Sequence, residues 1–282
     1  MTSLTLDQFR SLKYLPSLPE QIDNVLIATE TSSSMDYSIV ELIQYDPAMA
    51  MAVLKVANIP IYGYPGQISS LQQAAGLLGP GMIKNIILRT PILERFSGKT
   101  ALSIDFLQLW IHSGITAAIS GGLGRLIGGM ESDVSFTCGL IHDTGAIALS
   151  VYFPAAFSRA QDFADKNQVG LIEAEQQVLG FSHLEVAGEM MEAWGFPLQL
   201  SQVILQCAKP EKNNINSELS GIVALAKSLA CEWGFPSGLK GVTSIEQDSL
   251  LGLLGISEKK LGQWEPELKK YAEFALDTMK IP

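Results

Sequence analysis

The chain has little cysteine, little positive charge and no long pure apolar run. Its three cysteines, Cys138, Cys207 and Cys231, lie far apart without a CxxC pair. That argues against a disulfide framework and for small buried residues in a reducing compartment. Lys and Arg number 19 against 29 Asp and Glu, a formal net charge of -10. Such a balance repels phosphate backbones, and no Lys/Arg cluster exceeds a pair, so no nucleic-acid partner is expected. The nearest approach to a membrane span, Gly114 to Met130, is interrupted by Arg125 and six glycines. The N-terminus, MTSLTLDQFRSLKYLPSLPE, has acids and prolines where a secretory leader needs an apolar core. A soluble, cytoplasmic chain with no membrane association is expected. The sequence also has no G-x-S-x-G elbow and no Walker loop. Gly122-Leu123-Gly124 begins like a dinucleotide fingerprint, but Ile127 stands where the third Gly belongs and no strand precedes it.

What is present is helical period. With 282 residues, 47% hydrophobic, the chain can bury a sizeable core. Asp46-Pro47 opens a helix as N-cap and first-turn proline, with Met49, Val53 and Val56-Ala57 on one face. Asn58 to Gly66 is a turn-rich break, with Asn58 suited to a C-cap. Ser70 and Gln73 form a capping-box pattern before Leu71, Ala74, Ala75 and Leu78, and Gly79-Pro80-Gly81 interrupts before Ile83, Ile86 and Ile87. Ser103 to about Ile127 reads as a long helix whose interior glycines cost about 1 kcal/mol each relative to Ala, a cost that close helix packing can offset. Phe136 to Tyr152 is apolar on most sides and is expected as one central buried helix. Ser182-His183-Leu184-Glu185 is the clearest capping box. It opens a helix stopped by Trp194-Gly195-Phe196-Pro197, and the same stop recurs at Trp233-Gly234-Phe235-Pro236. An amphipathic stretch from Pro266 to Met279 closes the chain. Met49, Met51, Met82, Met190 and Met191 are expected as core filler, and Trp110 and Trp194 as core anchors.

Chemistry concentrates in three histidines, His112, His142 and His183. His142 is followed at once by Asp143, in Gly139-Leu140-Ile141-His142-Asp143-Thr144-Gly145. On a continuous helix the imidazole and carboxylate sit about 100° apart, and with ligands from other helices they can hold one divalent metal. His183, in the first turn of a capped helix, is expected to be partly exposed.

A series of spaced motifs resembles the HDOD domain, a relative of the HD phosphohydrolases found in bacterial signalling proteins. They are Leu15-Pro16-Ser17-Leu18-Pro19, Asp46-Pro47-Ala48, Leu54-Lys55-Val56-Ala57-Asn58, Ile68-Ser69-Ser70-Leu71-Gln72-Gln73-Ala74, Leu78-Gly79, Trp110-Ile111-His112-Ser113, the Gly139 to Gly145 segment, and Gly180-Phe181-Ser182-His183 with Trp194-Gly195-Phe196-Pro197. The resemblance implies an all-α, multi-helix bundle with an N-terminal helical subdomain. Its parts would be a lead helix over 1–14, an HDOD domain over 15–210 (15–100 N-terminal, 101–210 HD-like), and C-terminal helices over 211–282 packed on the HD-like part. Metal-binding relatives use an earlier His, the HD pair and a late Asp. His112, His142 and Asp143 match the first three, but Lys227 stands where the Asp belongs, in Val223-Ala224-Leu225-Ala226-Lys227-Ser228-Leu229-Ala230. Ala224, Ala146 and Cys207-Ala208 depart from the pattern as well.

A protonated Lys has no lone pair for a metal and changes the site charge by about two units. The expectation is a vestigial pocket of His112, His142, Asp143, His183 and Lys227, with no cofactor and no metal. If a metal were held, His112, His142 and Asp143 would hold it. Lys227 is expected to pair with Asp143 in the metal's stead. The resemblance implies a stand-alone, non-catalytic signalling module that acts on a partner protein, and a homodimer is compatible with it. The competing expectation is a metal-dependent phosphohydrolase acting on a nucleotide or cyclic dinucleotide. A small-ligand sensor using the same pocket is the third.

Overall fold

In the computed structural model the described residues are 4–18, 22, 38–93, 104–128, 131–241 and 246–279. Among them the fold is all-α, and the one β-type pairing is an isolated parallel bridge between Ser17 and Ile92. The helices are α1 (Asp7–Arg10), α2 (Ser38–Ile43), α3 (Pro47–Ala57), α4 (Leu71–Ile87), α5 (Phe106–Ile127), α6 (Ser132–Ile141), α7 (Thr144–Tyr152), α8 (Pro154–Asn167), α9 (Leu171–Leu179), α10 (His183–Ala193), α11 (Leu198–Gln206), α12 (Ser217–Glu232), α13 (Gln247–Leu254) and α14 (Glu258–Met279).

The architecture turns on α5. A helix that is apolar all round must be surrounded, and α5 is packed by α6, α12 and α14. Leu109, Trp110 and Ala117 enter a core shared with α3, α4, α6, α7, α10 and α11. Ile115, Ile119 and Leu123 enter a second core built with α12, α13 and α14. The α5 glycines permit this crowding. A Cβ on Gly121 would lie 3.2 Å from Phe136 Cβ, and one on Gly122 would lie 2.7 Å from the Tyr271 ring. Ser103, the expected start of this helix, lies outside the described residues, and Asp105 is the N-cap.

Local signals behave as their chemistry dictates. Asn58 caps α3 and clamps the following loop: its Nδ2 donates to Leu54 O (2.9 Å) and Ile68 O (3.0 Å), and its Oδ1 accepts from Ile68 N (3.1 Å). Gly79 takes φ 69° and kinks α4 ahead of Pro80. In the box at α4, Gln73 Oε1 accepts from Ser69 N, one residue upstream of the N-cap.

Three expectations change. Phe136 to Tyr152 is two helices, broken at His142-Asp143, because Asp143 leaves helical geometry (φ -103°, ψ 15°). The segment long and apolar enough to cross a membrane is Ser132–Tyr152, not 114–130, and 94% of its apolar window is buried inside the protein. Met82, in the turn after the α4 kink, is 39% exposed, unlike the other methionines named.

Asp46 joins the two halves of the first core. It is 1% exposed. Its carboxylate accepts from Met49 N (2.8 Å), Trp110 Nε1 (3.1 Å) and the Ser17 hydroxyl. One side chain thus caps α3, anchors the bulkiest residue of α5 and holds the 15–18 segment. Asp46→Ala is expected to lower unfolding free energy by about 3 kcal/mol, since a lost cap and two stranded buried donors act together. Denaturant titration followed by circular dichroism measures it, and a loss below about 1 kcal/mol would contradict the assignment.

Candidate functional site

Four helices converge on Asp143. The break after α6 is a tight turn in which Thr144 Oγ1 donates to Ile141 O (2.8 Å) and Ala146 N to Asp143 O (3.0 Å). Because the chain leaves the helix here, the two side chains meet: His142 Nε2 lies 3.1 Å from Asp143 Oδ2. His112, from α5, brings Nε2 to 4.0 Å from the same oxygen. His183, from the start of α10, places Nε2 3.8 Å from Oδ1. Lys227, from α12, donates to Oδ1 at 2.9 Å. All five residues expected in the pocket are therefore brought together.

Each imidazole is oriented by its Nδ1. His112 Nδ1 sits 2.7 Å from Phe235 O, and His142 Nδ1 2.7 Å from Gly139 O. A carbonyl only accepts, so both Nδ1 atoms carry the proton and both Nε2 atoms face the centre. The stop signal at Trp233-Gly234-Phe235-Pro236 thus has a second role. Its left-handed Gly234 (φ 92°) turns the Phe235 carbonyl onto His112. The three Nε2 atoms and Asp143 Oδ2 are buried without a hydrogen-bond partner in the protein.

His183 is buried, at 4% exposure, where partial exposure was expected. The reason is a residue that the sequence pattern did not single out. Glu175 on α9 is fully buried, and it accepts from His183 N (3.0 Å) and from His183 Nδ1 (2.8 Å). The signal was available: Glu175 falls on the apolar face of α9 with Leu171, Ala174 and Val178, where a carboxylate needs a partner. The capping box holds the other side of the turn, with Ser182 N donating to Glu185 (2.8 Å). Gly145 allows α7 to reach this turn, for a Cβ there would stand 1.8 Å from His183 O.

Charge follows geometry. Burial would raise the Asp143 carboxyl, but His142 and Lys227 outweigh it and hold the group well below the usual range. Burial would likewise lower Lys227, yet Asp143 keeps its ammonium protonated and raises its pKa. Burial, aided by His142, pushes His112 down to about 3, so it is a neutral imidazole. In His183 the charge of Glu175 overcomes burial and raises the pKa. His112 Nε2, His142 Nε2 and a carboxylate oxygen of Asp143 lie within 4.8 Å of one another, close enough to share one ion.

A helical bundle with an HD pair at its centre defines a class, and the comparisons agree with it. The sequence matches the HDOD domain family over residues 15–210, and the chain belongs to that family. Lys227 and Phe235 lie beyond the matched segment. No curated protein matches the chain. Among solved structures, the MmoQ response regulator from Methylococcus capsulatus superposes with a TM-score of 0.70 at 21% identity, covering 89% of this chain and 98% of that one. A virulence factor from Campylobacter jejuni gives 0.71 at 20% identity, with 96% and 100% covered. An HDOD domain protein from Geobacter sulfurreducens gives 0.56 at 19% identity, with 98% and 97% covered. At these identities the likeness concerns the fold.

Two outcomes are expected. Gly145→Ala should cost at least about 3 kcal/mol, since its methyl meets backbone and α7 must separate from α10. Equilibrium unfolding measures it, and a near-neutral result would mean that α7 and α10 are not in that contact. Glu175→Gln should lower the His183 pKa, because Asp143, whose charge Lys227 offsets, is then the one group opposing burial. Histidine resonances followed by NMR through a pH titration report this, and an unmoved His183 would refute the pairing.

Proposed function

We propose that the chain is a non-catalytic signalling module that acts through protein contacts, with the Lys227 ammonium taking the place of a metal ion. The observation that carries this is the 2.9 Å ion pair between Lys227 and Asp143. The imidazoles could ligate a divalent ion, and their unpaired Nε2 atoms favour that reading. The charge set does not fit one. Asp143 brings the single negative charge toward the shared centre, and Lys227 already neutralises it. A dication about 4 Å from an ammonium is repelled by about 8 kcal/mol at an effective dielectric of about 20, which offsets about half of what a ligating carboxylate would supply. The buried carboxylate needs a cation, and Lys227 meets that need without a metal.

Support for a signalling role comes from family membership and from the relative described as a response regulator. Support for protein contact comes from the surface. The loop after Asn58 exposes Ile61 (84%) and Tyr64 (51%), and Gly66 adjoins Gly195, close in sequence to the exposed Leu198 (70%). Large apolar side chains on a loop held in one shape are what a partner protein buries. The net charge of -10 disfavours nucleic acid and anionic membrane surfaces.

Metal analysis and a phosphodiesterase assay with added Mn²⁺ test the proposal. The wild-type chain is expected to bind no stoichiometric Mn²⁺ or iron and to hydrolyse neither nucleotides nor cyclic dinucleotides. Lys227→Asp, which restores an anionic oxygen, is expected to gain Mn²⁺ affinity by at least tenfold in calorimetry. Tight stoichiometric metal in the wild type that disappears on His142→Ala would instead establish the phosphohydrolase reading.

A further inference from the structure

Beside the Asp143 centre lies a cavity of about 960 Å³, lined in part by the start of α9, the turn before α10, and α12. Its polar lining includes Ser182, His183, Glu185 and Lys227. His183 lines it, with an Nε2 that makes no hydrogen bond and lies 3.8 Å from Asp143 Oδ1, and the residue is 4% exposed. Lys227 lines it as well, with 20% of its side chain accessible. Among the described residues the Lys227 ammonium donates to Asp143 alone, although an ammonium carries three N–H groups. The first turn of α9 borders the same space, and Gly170 gives it no side-chain cap. Leu184, Leu205, Pro236 and Leu239 supply apolar lining.

The nearby acids are committed elsewhere. Glu175 accepts from His183 on the side away from Nε2. Glu185 is held by Ser182 and Gln176. Glu173, at the rim, accepts from Gln177. Donor capacity toward the cavity comes from the spare Lys227 N–H groups and, in its imidazolium form, from His183 Nε2; of the first α9 amides, Leu171 N is already given to Gly241 O.

We propose that this cavity binds a small organic oxyanion, a carboxylate or phosphate head on an apolar body. The head sits between Lys227 Nζ and His183 Nε2, and the body lies against Leu184, Leu205 and Leu239. The volume admits a ligand well beyond a bare ion, and the apolar walls give a fully hydrated ion nothing in exchange for its water. Lys227 would then serve two acceptors, Asp143 behind it and the ligand in front. This gives the signalling module an input site, but the binding argument stands on the cavity alone and does not need the non-catalytic reading.

Calorimetry on the full chain tests it with four probes: phenyl phosphate, phenylacetate, phenol and inorganic phosphate. At least one of the first two should bind saturably at one per chain, tenfold or more tighter than phenol and inorganic phosphate. The two arms distinguish a phosphate head from a carboxylate. Lys227→Met, which removes the donor, and Leu205→Trp, which fills the apolar end, should each weaken that binding at least tenfold. Leu205 is 44% exposed, so its replacement leaves the core intact and decides the matter if Lys227→Met does not fold. No saturable binding of either oxyanion, equal binding of phenol or inorganic phosphate, or unchanged affinity in Leu205→Trp would each overturn the proposal. Phenol released from phenyl phosphate in the wild type but not in Leu205→Trp would confirm occupancy of the cavity and defeat the non-catalytic reading. Intact recovery of the bound probe supports both.

Discussion

A fully buried carboxylate is the constraint around which the centre of this protein is arranged. Asp143 is 1% exposed, and an uncompensated charge in such a place costs several kcal/mol. The compensation comes from α12, whose Lys227 ammonium donates to the carboxylate, while Glu175 holds the α10 histidine and backbone carbonyls hold the imidazoles of His112 and His142 around it. Compensation by a protein side chain differs from compensation by an ion. A metal can be lost by dilution or chelation, whereas Lys227 is tied to the fold and remains as long as α12 is docked.

Packing makes this arrangement rigid. α5 is buried on nearly all sides and carries His112, so the imidazole can tilt only if two cores give way together. Gly145 brings α7 against the His183 carbonyl, which sets the distance between the HD turn and the third imidazole. Interiors packed this closely respond to a change in discrete steps and not by smooth deformation.

Much of this was legible before the coordinates. Asp46 and Ser182 announced their helices because capping is local chemistry, decided within four residues. The Lys227–Asp143 pair followed from the family resemblance, which puts an Asp where Lys227 stands, together with a charge argument at that one position. What escaped was non-local or geometric. The break at His142-Asp143 does not show in composition, because Phe136 to Tyr152 is apolar throughout and a two-residue turn leaves no glycine or proline at the break itself. Glu175 escaped because its partner is eight residues away across a turn, so only the apolar phase of α9 marked it. The role of Phe235 rests on a backbone carbonyl, to which no side-chain pattern points.

The position of Lys227 has a further consequence for modularity. The segment matching the family ends at residue 210, yet the cation that balances the centre arrives from α12, and so does the turn that orients His112. A cassette cut at that boundary would carry an acid without its counter-charge. The portable unit in any fusion or exchange is therefore longer than the sequence family implies, and it extends at least through Phe235. Docking of α12 and the charge state of the centre are then one equilibrium: whatever loosens that helix also unbalances Asp143.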